Sequence, residues 1–289
     1  MPGRVTVWYP FTNRSMGMSP GLSYRLGRIF GQDGRTMILP IDHGLIGGRV
    51  HGLENPRALL DVAIGLGCDG FLMSQGMAQQ TAQMFAHRDA PVRVLTVDSL
   101  YGARDQDPGS AALVASVETA VRLGLDAVKL LMPWDVPSAQ QAATAERIAG
   151  VVKLATAWEM PVMVEPIAMR LPQGPEAVEV ECHASRIAME LGADIIKVGY
   201  PGDVTIMKSL CDELGVPVVI LGGPGTGTVT GLLRMVGDAL AGGASGIVIG
   251  RKVWQQDQRI WTSLAKALVR MVHGGLTTDE AVDVLEAAG

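Results

Sequence analysis

Aromatic side chains are scarce in this sequence, 4% of 289 residues, and several other features are missing altogether. No apolar run reaches about 18 residues, so no membrane-spanning helix is expected. Lys and Arg are scattered without a basic run and the formal net charge is −5, which gives no support for binding nucleic acid or an anionic membrane surface. The opening Met-Pro-Gly-Arg-Val-Thr-Val-Trp-Tyr-Pro has no basic stretch followed by an apolar core, so no signal peptide is visible and a cytoplasmic location is expected. Cysteine is limited to Cys68, Cys182 and Cys211, an odd number without Cys-x-x-Cys or Cys/His metal spacing. These are expected to be free, buried or half-buried thiols in a reducing compartment. No metal-ligand cluster appears, and neither a metal nor a cofactor is expected.

What the chain does have is apolar residues at 48%, with 36 Gly and 15 Met, enough for a large core joined by tight turns. Its length is typical of an α/β barrel, about 250 residues plus additions. Residues 1–18 read as irregular. Ser19-Pro20 then opens a short helix to about Phe30, whose Leu22, Leu26, Ile29 and Phe30 recur at helical spacing as expected of a plug across a barrel's end. Strands are predicted at Thr36–Ile41, Gly70–Met73, Val92–Val97, Ala127–Leu131, Val162–Val164, Ile195–Val198, Pro217–Leu221 and Gly246–Ile249. Helices are predicted between them near 56–65, 77–87, 111–123, 139–158, 176–191, 204–214 and 229–241, with two more from after Trp254 to about Val272 and over Thr277–Ala287.

One device recurs in Leu66-Gly-Cys-Asp, Leu123-Gly-Leu-Asp, Leu191-Gly-Ala-Asp and Ala241-Gly-Gly-Ala: Gly ends a helix in the left-handed conformation and an apolar strand follows. Four copies favour a closed repeat, a single (β/α)8 TIM barrel over 32–275, with an N-terminal extension (1–31) and a C-terminal helix (276–289). A doubly wound open sheet is the competing fold. It has fewer strands and a Gly-rich turn after the first, whereas here that turn follows the seventh.

In a barrel the working residues sit at the C-terminal strand ends. Those ends carry Asp42 and His43, Ser74 and Gln75, Asp98, Lys129, Glu165 and Lys197. Side chains alternate along a strand, so each of these points inward if its i−2 neighbour does. Lys197 lies in the buried run Asp194-Ile-Ile-Lys197-Val, where low dielectric disfavours the ammonium and leaves a nucleophilic amine. Lys129, Glu165 and Lys197 fall on neighbouring strands, placing a carboxylate between two lysines. The lysines' mutual repulsion lowers one pKa further, and the carboxylate can carry a proton. A structural ion network is the competing reading, disfavoured because such networks are costly. The glycines of Leu221-Gly222-Gly223-Pro-Gly-Thr-Gly-Thr228 and Gly250-Arg251 form a phosphate cradle after the last two strands. An amine beside a phosphate cradle implies a phosphorylated ketone or aldehyde. His43 is a lesser candidate, since a continuing strand would turn it to the opposite face.

Ile-Asp42-His43-Gly44, Asp126-Ala-Val-Lys129, Val164-Glu165-Pro166, Asp194-Ile-Ile-Lys197, Gly222-Gly223 and Ile249-Gly250-Arg251 together resemble the class I aldolases of the deoxyribose-phosphate/archaeal fructose-bisphosphate aldolase superfamily. Lys129 with Val-Glu165-Pro is more similar to the tagatose-bisphosphate and sulfofructose-phosphate aldolases. The archaeal branch carries a Tyr in Ser-Tyr-Pro-Arg-Gly, where this chain has Pro166-Ile-Ala-Met-Arg170, so the resemblance passes that proton-transfer role to Glu165. It implies a Schiff base on Lys197, substrate hydroxyls held by Asp42 and Lys129, and phosphate taken by Gly222, Gly223, Gly250 and Arg251. The implied reaction is cleavage or formation of a ketose (bis)phosphate, giving dihydroxyacetone phosphate and an aldehyde. Transaldol and thiolase-like enzymes of the superfamily remain alternatives, as does a non-catalytic sugar-phosphate sensor. Arg170, Asp98 and Gln75 are further candidates for the aldehyde half. A homo-oligomer is expected, with the N-terminal extension and last helix as interface elements.

Overall fold

The computed structural model describes residues 18–101, 110–172, 174–223 and 227–286. Its strands are β1 (Thr36–Pro40), β2 (Gly70–Met73), β3 (Val92–Thr96), β4 (Asp98–Tyr101), β5 (Ser110–Leu113), β6 (Ala127–Pro133), β7 (Val162–Ile167), β8 (Ile195–Val198), β9 (Val218–Leu221) and β10 (Gly246–Val248). The helices are α1 (Pro20–Ile29), α2 (Gly44–Gly47), α3 (Pro56–Gly65), α4 (Gln75–Gln80), α5 (Val117–Arg122), α6 (Ser138–Ala157), α7 (Pro175–Glu190), α8 (Val204–Leu214), α9 (Val229–Ala241), α10 (Arg251–Trp254), α11 (Gln258–Val272) and α12 (Thr278–Glu286). Eight strands, β1-β2-β3-β6-β7-β8-β9-β10, close into a barrel, and every neighbouring pair is parallel. The fold is a (β/α)8 barrel.

Two cores follow from strand alternation. Outward residues such as Met37, Phe71, Val128 and Ile196 pack under the helices. Inward residues Ile38, Val94, Ala127, Met163, Ile195 and Val219 fill the barrel, and Leu26, Ile29 and Phe30 of α1 close it from below. α1 is held there by Gly21 N–H donating to Glu159 Oε2 at 2.6 Å and Arg28 Nε to Asp126 Oδ1 at 2.8 Å.

The repeated turn has a structural role beyond its glycine. Gly67, Gly124, Gly192 and Gly243 all have positive φ, between 68° and 101°. The Asp that follows in three copies clasps one residue of the neighbouring strand from both sides. Asp69 donates its N–H to the Met37 carbonyl and accepts the Met37 N–H on its carboxylate. Asp126 does the same with Arg93, and Asp194 with Val162. Ser245, which has no carboxylate, makes only the backbone half, to the Val218 carbonyl.

The structure departs from the expected elements in three places. The helix expected near 111–123 begins only at Val117, capped by Ser116 Oγ accepting from Thr119 N–H. The residues before it form β5, antiparallel to β4. Val114 and Ala115 both donate to the Val97 carbonyl, so the hairpin supplies the hydrogen bonds that a helix would have made internally. The helix expected near 77–87 is α4 followed by a separate 3₁₀ turn, Ala82–Phe85. Two single-turn helices, α2 and α10, follow β1 and β10 where strand ends or loop were expected.

Candidate active site

The inward rows that fill the barrel continue upward as polar groups. Ala127 is followed two residues on by Lys129, Met163 by Glu165, Ile195 by Lys197 and Val94 by Thr96. All four line a cavity of 340 Å³ at the C-terminal ends of the strands, together with Asp42, Asp98, Gly222, Gly223, Gly250 and Arg251. Strand alternation thus carries these four side chains inward, from the barrel core up to the cavity.

Glu165 lies between the two lysines. Its Oε1 is 2.8 Å from Lys197 Nζ, and its Oε2 pairs with Lys129 Nζ. The three side chains are almost fully buried, 8%, 4% and 11% exposed for Lys197, Lys129 and Glu165. Burial resists ionisation of Glu165, but the two ammonium groups outweigh it and hold the carboxyl down to about 2. The lysines diverge. Burial pushes Lys197 below the ordinary lysine range, and Lys129 beside it adds repulsion. Burial opposes the charge of Lys129 too, but Glu165, Asp42 and Asp98 together lift it above that range. The uneven supply of carboxylates thus makes Lys197 the more easily deprotonated of the two lysines.

Asp42 is held by Thr96 Oγ1, which donates to its Oδ2 at 2.6 Å. Asp98 is fully buried. Both of its carboxylate oxygens accept the Leu131 N–H at 3.0 Å, and it pairs with Arg147, whose second nitrogen donates to the Leu131 carbonyl at 3.1 Å. This clasp fixes the end of β6, which carries Lys129. Gln75 and Arg170 are not among the cavity-lining residues. Gln75 sits in the first turn of α4, while Arg170 is exposed and donates its backbone N–H to Asp135.

His43 corrects an expectation. The strand ends at Pro40, so the chain does not carry His43 to the outer face; it turns helical there and lines the cavity. Its ring stands edge-on to Trp254 at 5.4 Å, and Trp254 Nε1 donates to the Pro40 carbonyl at 3.0 Å. Among the described residues its Nδ1 has no hydrogen-bond partner, although Asp42 Oδ1 lies 3.7 Å away. Burial pushes its pKa down, which favours the neutral imidazole.

The glycine cradle is built for close approach. A Cβ on Gly222 would stand 2.9 Å from Ile249 Cγ2, and one on Gly250 would stand 2.8 Å from the Pro40 carbonyl oxygen. Gly223 adopts φ +68°, which favours glycine. Residues 224–226 of the Gly-rich turn lie outside the described residues. No group of three His, Cys, Asp or Glu among the described residues is arranged to hold a metal ion.

A model of the DeoC/LacD family aldolases matches residues 36–256. The chain belongs to the DeoC/LacD aldolase family. It is 33% identical to 2-amino-3,7-dideoxy-D-threo-hept-6-ulosonate synthase 1 of Archaeoglobus fulgidus, over 91% of this chain and 95% of that protein. It is 32% identical to the class 1 fructose-bisphosphate aldolase of Thermoproteus tenax, over 91% and 99%. An archaeal fructose-1,6-bisphosphate aldolase whose catalytic Lys is covalently bound to the carbinolamine intermediate of its substrate matches with a TM-score of 0.73 at 29% identity, covering 88% of this chain and 100% of that one. This DeoC/LacD aldolase is a lyase of the class I, Schiff-base type.

Three residues of this aldolase's cavity escape sequence reasoning. Thr96 is the last residue of β3 and differs from its apolar neighbours only by a hydroxyl. Lys252 Nζ lies about 4 Å from where Cβ atoms on Gly223 and Gly227 would stand, so its ammonium overhangs the glycine cradle. Glu181 comes from the second turn of α7 and reaches back over the strand ends. A signal for Lys252 was in view, one residue beyond Arg251. No spacing rule pointed to Glu181.

Proposed function

We propose that Lys197 is the Schiff-base lysine and that the substrate is a ketose phosphate, cleaved to dihydroxyacetone phosphate and an aldehyde. The observation that carries this is the shared carboxylate: of two buried lysines on Glu165, only Lys197 has its pKa pushed down. A neutral Nζ adds to the C2 carbonyl to give a carbinolamine. Loss of water, with a proton supplied to the departing oxygen, gives the iminium. A carboxylate then takes the proton from the C4 hydroxyl, the C3–C4 bond breaks, and its electron pair enters the iminium to form an enamine as the aldehyde leaves. Protonation at C3 and hydrolysis return the amine and release dihydroxyacetone phosphate. Glu165 is assigned the proton transfers because it touches Lys197 and is almost fully buried with it. Lys129 and Asp42 are assigned to the substrate hydroxyls, with Asp42 pre-aimed by Thr96. The phosphate is assigned to Gly222, Gly223, Gly250 and Arg251, with Lys252 added because its ammonium overhangs the turn.

The test is borohydride reduction in the presence of dihydroxyacetone phosphate, followed by peptide mass mapping. An adduct on Lys197 supports the assignment. An adduct on Lys129, or none, rejects it. Turnover assays with ketose phosphates separate the aldolase from a binding-only sensor. The 33% identity to a hept-6-ulosonate synthase favours a second reading, carbon–carbon bond formation with a different donor on the same lysine. Trapping by an alternative donor and not by dihydroxyacetone phosphate would establish it.

A homo-oligomer is also proposed, supported by Leu154 in the last turn of α6 and Trp158, which caps that helix, each 45% exposed. Sedimentation velocity measures it directly. Of the interface elements named from sequence, residues 1–17 lie outside the described residues. The free cysteines support a reducing, cytoplasmic location.

A further inference from the structure

Charge is distributed unevenly around the cavity. On the side of β9 and β10 stand the bare backbone of Gly222, Gly223 and Gly250, with Arg251 in the wall and Lys252 over the glycines. On the side formed above β4, β6, β7 and β8 the wall beyond the lysines is Ser99, Leu100, Leu131, Ile167, Met169 and Glu181. Among the described residues, no Lys or Arg lines that second side apart from the two lysines on Glu165. The guanidinium behind it, Arg147, is already engaged by Asp98 and the Leu131 carbonyl. Arg170 is exposed and does not line the cavity.

Glu181 is built into this wall. Its Oε1 accepts the Ala168 N–H at 3.4 Å, and the Gly199 N–H also supports the carboxylate. A side chain at position 199 would displace it, because a Cβ there would stand 2.9 Å from Glu181 Oε2. A carboxylate has about four acceptor positions, so capacity remains for a donor in the cavity. Burial and the proximity of Glu165 and Asp135 push its pKa upward, in keeping with an environment short of positive charge.

We propose that the aldehyde half of the substrate carries no phosphate: it presents a hydroxyl or amine donor to Glu181, and the substrate is a ketose monophosphate. A second phosphate would face the Glu181 carboxylate, and among the described residues no cation beyond the two lysines on Glu165 lines that side to offset the repulsion. A neutral or cationic donor would be held by the same carboxylate. Discrimination then comes from repulsion on one side of the cavity and attraction on the other. This inference rests on the Schiff-base reading of Lys197.

The test compares two ketoses of one stereochemistry, fructose 1-phosphate and fructose 1,6-bisphosphate, by the concentration giving half-maximal borohydride trapping on Lys197. The monophosphate is expected to half-saturate at a concentration at least tenfold lower. Equal or tighter trapping of the bisphosphate overturns the inference. Trapping of dihydroxyacetone phosphate with neither ketose also overturns it, while leaving the Schiff base intact. No trapping with any of the three overturns the Schiff-base reading instead. Glu181→Gln should narrow the preference at least threefold with the thermal midpoint unchanged. An unaltered preference in that folded variant would remove Glu181 from the explanation and overturn the proposal.

Discussion

At the N-terminal ends of the barrel strands, Asp69, Asp126 and Asp194 each accept a backbone N–H and return one to the same residue. At the C-terminal ends, Glu165 and Asp42 meet two lysine ammonium groups and one hydroxyl, and face open volume. Both sets are acidic side chains at strand termini, separated by the length of a strand. Below, the partners are backbone groups whose positions are fixed by the sheet, so the carboxylates act as staples. Above, the partners are side chains whose protonation depends on one another, so a change on one is felt by all. Stability and reactivity are thereby carried by different ends of one barrel, which predicts that substitutions at the two ends separate cleanly.

The sharpest break is Lys197→Ala. Turnover should fall to background and borohydride trapping should vanish, while urea unfolding should show stability unchanged or raised, because a buried amine of depressed pKa has been removed. Strong destabilisation with activity retained would place Lys197 among the staples. Glu165→Gln should lower kcat by roughly 10²–10⁴. Since Lys197 loses its nearest counter-charge, its amine becomes still easier to neutralise. Imine trapping should therefore persist at equilibrium, though reached more slowly, while carbon–carbon cleavage falls further, a split visible by comparing end-point trapping with a coupled turnover assay.

The lower end should give the reverse pattern. Asp126→Ala leaves the Arg93 N–H without its acceptor in the barrel wall and frees Arg28 from its carboxylate. Chemical unfolding should show a loss of about 1–3 kcal/mol, with kcat at 25 °C unchanged. A drop in kcat at intact stability would join the two ends and defeat the separation.

How much of this was readable in the chain follows the same division. Four of the eight barrel strands, β2, β6, β8 and β10, were legible because each follows a glycine that stops a helix (Gly67, Gly124, Gly192 and Gly243), a device with one physical meaning wherever it recurs, and the other four from short apolar runs bounded by turn residues. Lys129, Glu165 and Lys197 were legible because period-two alternation carries an inward apolar residue to an inward polar one. The hairpin β4–β5 was not, since Ala111-Ala-Leu-Val has no alternation and its strand character comes from a partner, Asp98–Tyr101. His43 was misdirected by extending a strand past Pro40, where the chain instead turns helical. Glu181 reaches the cavity from a helix across a loop, a placement set by tertiary packing and absent from local spacing.

The smallest expected effect concerns His273, at the lower end. Its Nδ1 lies 2.6 Å from Asp33 Oδ2 and its Nε2 lies 3.0 Å from Asp69 Oδ2, the carboxylate that also accepts the Met37 N–H. Both ring nitrogens face acceptors, so both must donate, which only the imidazolium can do. The bond to Asp69 is the leading cause of a pKa raised to about 9, against burial, which works the other way. In the unfolded chain the ring titrates near the ordinary value of about 6.5. The folded state holds the proton more tightly, so its contribution is complete below pH ~6.5, declines as pH rises, and is gone above about 9. The ring is 30% exposed, and solvent screening limits the contribution to about 1 kcal/mol or less. Unfolding free energies of wild type and His273→Gln should therefore differ at pH 6 and converge by pH 9.5, with kcat equal throughout. A gap that persists at pH 9.5 would mean that His273 holds the lower end by packing, and that the charge it shares with the Asp staples is incidental.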